Sequence, residues 1–290
     1  MNDYVIVTDS SADLDEALVK ELELEVIPLR FTISGETFAN YPDNREMDPK
    51  KFYQMIRDGE MGTTSAINVA DAKEAIEPLL KAGKDVLVLA FSSGLSASCQ
   101  SCTLAAQELA EDYPDRKVFV VDTLAASMGQ GLLVYHTVMK KRSGATIEEA
   151  RDFAEETKLH LDHWFTVNDL MHLKRGGRVS ATTAVLGTML SIKPVLHVDD
   201  EGHLINVGKA RGRKASLAAL ADKVVELADD PANQTMFISH SDCLEDAQYV
   251  ADLIREKYGT TDFRFNYIGP VIGCHTGCGC VALFFLGSHR

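Results

Sequence analysis

Residues 4–14, YVIVTDSSADL, place a run of apolar and β-branched side chains directly before a cluster of helix-capping residues. A continuous apolar run of this length predicts a strand buried on both faces, as in a parallel sheet. The cluster DSSAD at 9–13 predicts the start of a helix that continues to about Leu22. The stretch therefore indicates a strand–turn–helix unit of an α/β protein.

The same order recurs twice more in the first half of the chain. DVLVLAF at 85–91 precedes SSGLS at 92–96, and VFVV at 118–121 precedes Asp122-Thr123, each before a predicted helix. Three such units predict a parallel sheet with helices on its faces.

The remaining segments show other patterns. Residues 26–33 are predicted to be extended, and TTS at 63–65 is predicted to precede a helix over 69–81. Residues 192–198 and 204–207 flank a turn and predict a β-hairpin. We place a domain boundary near residue 160, so that residues 1–160 form one domain and residues 161–290 a second.

The composition excludes several classes of protein. With 46% hydrophobic and 25% charged residues and a net charge of −14, the chain is expected to be a soluble protein that repels nucleic acid and anionic lipid surfaces. We find no run of 18 apolar residues and no signal peptide. Six cysteines without a secretory signal predict a cytoplasmic protein with reduced thiols.

Positive charge is concentrated in one segment. Residues 171–216 contain eight basic and three acidic residues, a net charge of +5, whereas the rest of the chain carries −19. Such a segment favours one anionic partner, although a solvated basic face is the alternative.

Familiar nucleotide and hydrolase signatures do not occur. The sequence has no GxxxxGK[ST], no GxGxxG after a strand, no HExxH and no GxSxG. We therefore expect neither a nucleotide site nor a bound cofactor.

Hydroxyl groups at the carboxyl ends of the predicted strands indicate an anion site. Parallel-sheet proteins bind ligands at this edge, and each loop there leads into a helix whose first N–H groups favour an anion. The alternative is that these hydroxyls are helix N-caps. Ser93 and Ser96 cannot both cap one helix, so SSGLS is the best candidate for a carboxylate or phosphate site.

Two further stretches contain candidate functional residues. GPVIGCHTGCGC at 269–280 holds His275 in a glycine-rich frame, and its C-x₃-C-x-C spacing does not match that of zinc sites. MHLKRGGRVS at 171–180 places Arg175 and Arg178 around two glycines. Arginines in such a loop suit phosphate or carboxylate recognition, and a basic helix C-terminus is the alternative.

Eight segments together resemble the DegV family of bacterial fatty-acid-binding proteins that serve fatty acid kinase. In order they are VTDSSADL (7–14), TTSAI (63–67), FSSGLSASCQSC (91–102), VVDTLAASMGQGLL (120–133), LKRGGRVS (173–180), IKPVLHVDDEG (192–202), GKARGRKAS (208–216) and GPVIGCHTG (269–277). The resemblance covers nearly the whole chain.

The resemblance implies a two-domain α/β fold with an N-terminal parallel α/β/α sheet domain and a C-terminal domain with a mixed sheet. One long-chain fatty acid, such as palmitate, stearate or oleate, would lie between the domains. Its carboxylate would be held by Thr64, Ser93 and Ser96, with His275 close by. Arg175 and Arg178 would face a separate ATP-dependent fatty acid kinase that forms the acyl phosphate. No catalytic residue, metal or stable membrane insertion is expected, although transient exchange with a membrane is possible.

The chain departs from the family pattern at a few positions, and other functions stay open. Ala66-Ile67 follows TTS where Gln-Pro is expected, Ala97 replaces a usual glycine, and HTGCGC replaces HTGPGA. One alternative is a serine hydrolase that uses Ser93 or Ser96 with His275 and an aspartate such as Asp9. Another is a metal or redox module on the cysteines at 274, 278 and 280.

Overall fold

The structure, a computed structural model, describes residues 3–179 and 191–290. The elements up to residue 160 are β1 (Tyr4–Asp9), α1 (Glu16–Glu21), β2 (Glu25–Ile27), β3 (Arg30–Ile33), β4 (Glu36–Ala39), α2 (Pro49–Arg57), β5 (Thr63–Ser65), α3 (Val69–Lys81), β6 (Asp85–Ala90), α4 (Ser98–Asp112), β7 (Val118–Asp122), α5 (Met128–Arg142) and α6 (Ile147–Thr157). The later elements are β8 (Leu161–Thr166), α7 (Leu170–Arg175), β9 (Ile192–Val198), β10 (Leu204–Arg211), α8 (Arg213–Leu227), β11 (Met236–His240), α9 (Leu244–Tyr258), β12 (Phe263–Tyr267), α10 (Pro270–Thr276) and β13 (Val281–Leu286).

Four parallel strands form the first sheet, in the order β2-β1-β6-β7. β6 is buried at every position, which explains why its sequence is apolar throughout rather than alternating. The three strand–turn–helix units of the sequence supply β1, β6 and β7, so the predicted parallel sheet is confirmed.

A second, mixed sheet has the order β10-β9-β8-β13-β11-β12. β9 and β10 pair antiparallel, as the predicted hairpin requires, with a register irregularity between Asn206 and Gly208. β11 and β12 are parallel, whereas β13 is antiparallel to β8 and β11. The mixed sheet expected for the second half is therefore confirmed.

A small antiparallel sheet, β4-β3-β5, contains part of the extended stretch 26–33 and the TTS segment at 63–65, which the sequence did not assign to a sheet. The extended stretch 26–33 divides at Pro28 into β2 and β3, which belong to different sheets. Proline has no N–H to donate to a strand ladder, so the break falls there. The TTS segment precedes α3, as predicted. It also forms strand β5, in which Thr64 pairs with Phe31 of β3.

The predicted start of the first helix is wrong. The cluster at 9–13 does not open a helix: Ser10–Ala12 form a 3₁₀ turn, and α1 begins later because the Asp15 side chain caps it. The glycine-rich stretch at 269–280 contains a short helix, α10. Pro270 suits the first position of α10, and Gly277, at a φ of 67°, ends that helix.

Helix α5 packs against both large sheets. One hydrophobic cluster contains Ile6 and Leu89 of the parallel sheet, Leu132 of α5, and Phe237 and Phe284 of the mixed sheet. The predicted boundary at 160 and 161 lies between a 3₁₀ turn, Lys158–His160, and β8. The division of the chain into two domains at this point stays a prediction.

No helix within residues 3–179 and 191–290 combines the length and the apolar character needed to cross a membrane.

Candidate functional site

An apolar cavity of about 270 Å³ lies between the parallel and mixed sheets. Its volume is close to the lower end of the range for ligand pockets, roughly 300–1,000 Å³. Residues beyond the carboxyl ends of β6 and β7 contribute one side, and β8, β13 and α10 contribute another. The lining residues used below are Thr64, Phe91, Leu95, Ser96, Ala97, Ser127, His163, Phe165, Arg178, Val271, His275, Thr276, Ala282 and Phe284.

Thr64 and His275 meet on the wall of this cavity. Thr64 Oγ1 lies 2.8 Å from His275 Nε2, a hydrogen-bond distance between residues 211 positions apart in the chain. β5 presents Thr64, and the last turn of α10 presents His275. The contact therefore depends on the packing of the small sheet against the second half of the chain.

His275 is neutral at physiological pH. Burial, followed by the charge of Arg178, lowers the pKa of His275 to about 4. Its Nδ1 atom is buried and has no hydrogen-bond partner among the described residues. A neutral imidazole beside a threonine hydroxyl supplies hydrogen bonds rather than a full positive charge.

The RGGR segment approaches His275 from α7. Lys174 and Arg175 occupy the last turn of this helix and Gly176 is its C-cap, which fits the helix C-terminus alternative. A Cβ on Gly176 would lie 2.2 Å from His275 Nδ1, so only glycine permits this approach. The segment thus forms part of the wall behind the imidazole.

The two predicted arginines occupy different positions. Arg178 lines the cavity, where its Nε donates to Leu95 O at 3.2 Å and its Nη1 to Gly176 O at 2.5 Å. Arg175 is exposed at the end of α7 and does not line the cavity. Ser180, the last residue of the LKRGGRVS segment, lies outside the described residues. A kinase-facing role for both arginines stays a prediction.

The SSGLS segment places its serines in three environments. Ser92 is buried, and its hydroxyl donates to Gly202 O at 2.9 Å. Ser93 is exposed and is not part of the cavity lining. Ser96 lines the cavity, with its Oγ 2.9 Å from Ser98 Oγ at the start of α4. The contacts of Ser93 and Ser96 with a carboxylate stay predictions. The position of Ser96 on the cavity wall supports the predicted contact of Ser96.

Other hydroxyls at the strand ends are used by the fold itself. Ser10 Oγ accepts from Leu29 N at 2.9 Å, and Thr123 Oγ1 donates to Ala90 O at 2.7 Å. Ser11 pairs with Asp9 and Gln130. In the structure these hydroxyls stabilise turns through their hydrogen bonds.

The hydrolase alternative has no catalytic arrangement in the described parts of the chain. His275 pairs with Thr64 rather than with a serine. The carboxylate of Asp9 accepts from the backbone of Ser11 and Phe91 and does not contact a histidine. A nucleophile–base pair requires hydrogen-bond reach, which these partners do not provide.

The surroundings of the three cysteines near the C-terminus favour a structural role. Burial raises the pKa of Cys274, Cys278 and Cys280, which keeps their thiols protonated at neutral pH. In residues 3–179 and 191–290, no three His, Cys, Asp or Glu side chains are placed to hold a metal ion.

Sequence reasoning missed His163, which lines the cavity, and Asp13, which accepts a hydrogen bond from the cavity-lining Ser127. Asp13, at a φ of 51°, is buried where the halves of the chain meet and accepts from Ser127 Oγ at 2.6 Å and Gly269 N at 2.9 Å. His163 lies on the cavity wall in β8, a buried strand that also contains Asp162 and Thr166. His163 stands in the mixed sequence LDHWFT and Asp13 in the capping cluster DSSAD, and neither pattern assigned its residue to the site.

The fold and the site define the class of protein: it is an α/β protein whose parallel and mixed sheets enclose an apolar cavity with a small polar cluster on its wall. A model of the DegV family, a family of uncharacterised proteins, matches residues 3–288. The chain belongs to the DegV family, which confirms the resemblance noted in its motifs.

Several family members are similar over their full length. A DegV domain-containing protein from Clostridium perfringens is 47% identical over 290 residues, covering 100% of this chain and 99% of the relative. The structure of a DegV family protein from Thermus thermophilus, for which fatty acid binding is described, matches with a TM-score of 0.86 and 30% identity over 99% of this chain and 100% of that chain. A fatty acid binding DegV family protein from Streptococcus agalactiae matches with a TM-score of 0.85 and 29% identity over 100% of both chains.

Proposed function

We propose that the protein binds one long-chain fatty acid in the cavity and presents its carboxylate to a separate ATP-dependent fatty acid kinase, which forms the acyl phosphate. The observation that carries the proposal is the Thr64–His275 pair on the wall of an otherwise apolar cavity. Fatty acid binding by the relatives from Thermus thermophilus and Streptococcus agalactiae supports it.

The polar cluster suits a carboxylate. If neutral His275 donates from Nε2 to Thr64, the threonine hydroxyl keeps its own proton for a carboxylate oxygen. Ser96 and Ala97 stand at the start of α4, where unpaired backbone N–H groups and the helix dipole favour an anion. The guanidinium of Arg178 supplies positive charge on the same wall. Together these groups orient the head group without a metal or cofactor.

The apolar remainder of the cavity suits an acyl chain. Phe91, Leu95, Phe165, Val271 and Phe284 are each buried and line it. Each methylene removed from water contributes about 0.8 kcal/mol, so the chain supplies most of the affinity and the head group sets the orientation.

The proposed presentation of the carboxylate to a kinase is supported by the basic segment, residues 171–216. Arg175 is exposed next to the wall that carries Arg178, inside the segment of charge +5. A patch of this sign attracts an acidic or phosphate-bearing surface, and the attraction weakens as salt concentration rises. The protein itself is a carrier without a nucleotide site, and it acts in the cytoplasm, where its thiols stay reduced.

The test is mass spectrometry of an organic extract of the protein purified from bacteria, followed by titration of the delipidated protein with palmitate and oleate. We expect about one fatty acid per chain and saturable binding. Absence of lipid in the extract, together with no binding of either acid, would overturn the proposal.

A further inference from the structure

The hydroxyl of Ser96 has a buried partner, Ser98, that the proposed function does not use. Ile67 N donates to Ser98 Oγ at 3.1 Å, and Ser98 Oγ lies 2.9 Å from Ser96 Oγ. The backbone N–H of Ser98 also donates to Ser96 Oγ, at 3.2 Å. Ser96 lines the cavity, whereas Ser98 is fully buried and is not part of the lining. Ser98 therefore contacts a residue of the site without belonging to the cavity wall.

The hydrogen bond from Ile67 joins the two segments that carry the predicted carboxylate hydroxyls. Ile67 follows β5, which presents Thr64, and Ser98 begins α4, which follows Ser96. The two partners are 31 positions apart in the chain. Ile67 stands where the family pattern has proline, which has no N–H, so the departure at this position supplies the donor. Ser98 thus connects the segment of Thr64 with the segment of Ser96.

The direction of these hydrogen bonds follows from the donors and acceptors available. A serine hydroxyl has one hydrogen to donate and two lone pairs that accept. One lone pair of Ser98 accepts from Ile67, and within residues 3–179 and 191–290 the only acceptor in hydrogen-bond geometry with the Ser98 hydroxyl is Ser96 Oγ. A fully buried hydroxyl is almost always hydrogen-bonded, so Ser98 donates to Ser96.

The same count fixes the hydroxyl of Ser96. Its oxygen accepts from the hydroxyl and from the backbone N–H of Ser98, so both of its lone pairs are occupied. The backbone of Ser96 is held as well, since its N–H donates to Ser92 O at 3.1 Å. Among the described residues the Ser96 hydrogen has no acceptor, and the residue lines the cavity. This hydrogen is therefore left for a ligand.

We propose that Ser98 is a positioning residue for the fatty acid head group: it donates to Ser96 and thereby keeps the Ser96 hydrogen available for a carboxylate oxygen. This inference rests on the proposed function. A hydrogen bond from a hydroxyl to a carboxylate is stronger than one between two neutral groups, so the direction of the Ser96 hydroxyl affects affinity. Without the Ser98 hydroxyl, Ser96 would have to be ordered by the ligand itself, at a cost in entropy.

The experiment is a double-mutant cycle of Ser96→Ala and Ser98→Ala, measured by titration of the delipidated proteins with palmitate. In the wild-type background we expect Ser98→Ala to raise the Kd by about tenfold. In the Ser96→Ala background the same substitution should change the Kd by less than about threefold, because Ser98 acts through Ser96. Ser101→Ala is the matched control. Ser101 is half-buried one turn further along α4 and does not line the cavity, so this variant should bind palmitate within about threefold of wild type.

Two further measurements distinguish positioning from a structural role. Ser98→Cys fills the same place with a weaker donor, so it should raise the Kd less than Ser98→Ala does, and only when Ser96 is present. NMR titration of bound palmitate labelled at its carboxyl carbon reports on the head group directly. Loss of a donor to the carboxylate raises its pKa, so Ser98→Ala should raise the pKa of the bound acid, as Ser96→Ala does. Thermal unfolding without ligand identifies any variant that does not fold, and Ser98→Cys completes the cycle if Ser98→Ala is one of them.

The outcomes are separable. An equal loss of affinity from the Ser98 substitution with and without the Ser96 hydroxyl would overturn the positioning role, because the effect would then be structural, and would leave the proposed function in place. Wild-type affinity and an unchanged pKa of the bound acid in Ser98→Ala would overturn it too. Failure of the wild-type protein to bind palmitate overturns the proposed function and this inference with it.

Discussion

At the scale of single residues, the site depends on neutral hydrogen-bonding groups that lie on the wall of the apolar cavity. The hydroxyl of Thr64, the imidazole of His275 and the hydroxyl of Ser96 each belong to a different element, and each has a protein partner within hydrogen-bond distance. Such groups are already ordered before a ligand arrives, which reduces the entropy cost of binding.

Removing one of these hydroxyls should weaken binding without abolishing it. Thr64→Val and Ser96→Ala each lose one hydrogen bond to a charged carboxylate, which is worth roughly 1.5–3 kcal/mol. We expect the Kd for palmitate to rise by between about tenfold and about a hundredfold, measured by titration. Wild-type affinity in both variants would place the carboxylate elsewhere.

Ser93→Ala is the matched control variant for Ser96→Ala. Ser93 lies in the same SSGLS segment as Ser96, but it is exposed and outside the cavity lining. Its predicted role in binding requires the carboxylate to reach the outer side of the loop. Weakened binding in Ser93→Ala would confirm that role, and unchanged binding would restrict the site to Thr64, Ser96 and His275.

Asp13 should make stability depend on pH. Burial raises the pKa of Asp13 from 3.8 to about 7, so between these values the native state keeps a proton that the unfolded state has lost. The free energy of unfolding therefore falls as the pH rises through this window and levels off above it. Between about pH 5 and about pH 8 the wild type should lose about 2–3 kcal/mol more than Asp13→Asn.

Denaturant unfolding of both proteins at the two pH values measures the difference. Burial also raises the pKa of Asp9, which is present in both proteins, so the difference between them reports Asp13 and its charge interaction with Asp9. Equal pH dependence in the two proteins would show that Asp13 titrates normally.

At the scale of elements, the site depends on how closely α7 approaches α10. Gly176 of the α7 C-cap has a φ of −70°, which alanine accepts, but a methyl group there would meet His275 Nδ1. Gly177 has open space around it and a φ of 69°, which alanine does not accept easily.

The two glycines should therefore respond differently to alanine. Gly176→Ala should displace His275 and weaken palmitate binding by at least about tenfold, with little loss of stability. Gly177→Ala should cost about 1 kcal/mol of stability through its backbone and leave binding unchanged. The same effect of both substitutions on binding would contradict a direct contact between α7 and the imidazole.

Substitutions at the end of α7 and just beyond it should distinguish fatty acid binding from presentation to the kinase. Arg175→Ala removes an exposed charge, so the affinity for fatty acid should stay the same while phosphorylation by the cognate kinase falls, most strongly at low salt. Arg178→Ala removes a charge from the cavity wall and should reduce both. Loss of ligand affinity in Arg175→Ala, measured beside a kinase assay at two salt concentrations, would assign Arg175 to the pocket instead.

At the scale of the whole molecule, the two large sheets share a core. Leu132 of α5 is buried in one cluster with Leu89 of the parallel sheet and Phe284 of the mixed sheet. A common core couples the folding of both halves, and a ligand between the sheets couples them further.

We therefore expect one cooperative thermal transition for the delipidated chain. Oleate at about a hundred times its Kd should stabilise the native state by about 2.7 kcal/mol and raise Tm by about 4 °C. Differential scanning calorimetry with and without oleate measures both. Two separate transitions would instead show that residues 1–160 and 161–290 fold independently.

Features that depend on near neighbours in the chain were predictable from sequence. The buried strands β1, β6 and β7 follow from unbroken apolar runs, and α2 begins at Asp48-Pro49 because a cap and a first-turn proline suffice to start a helix. The glycine-rich and hydroxyl-rich segments contain three of the predicted residues that line the cavity, Thr64, Ser96 and His275. In each case the deciding interactions act within a few residues.

The assembly of the site was decided only in three dimensions. Thr64 meets His275 across 211 positions, TTS becomes a strand through pairing with β3, and Arg178 rather than Arg175 reaches the cavity. His163, in the strand LDHWFT with its mixture of polar and apolar residues, lies on the cavity wall, and the buried Asp13 accepts hydrogen bonds from Ser127 and Gly269 of distant segments. Local sequence determines which element forms and which face is apolar, whereas long-range packing determines which polar groups are left facing the cavity, because that depends on surfaces contributed by both halves of the chain.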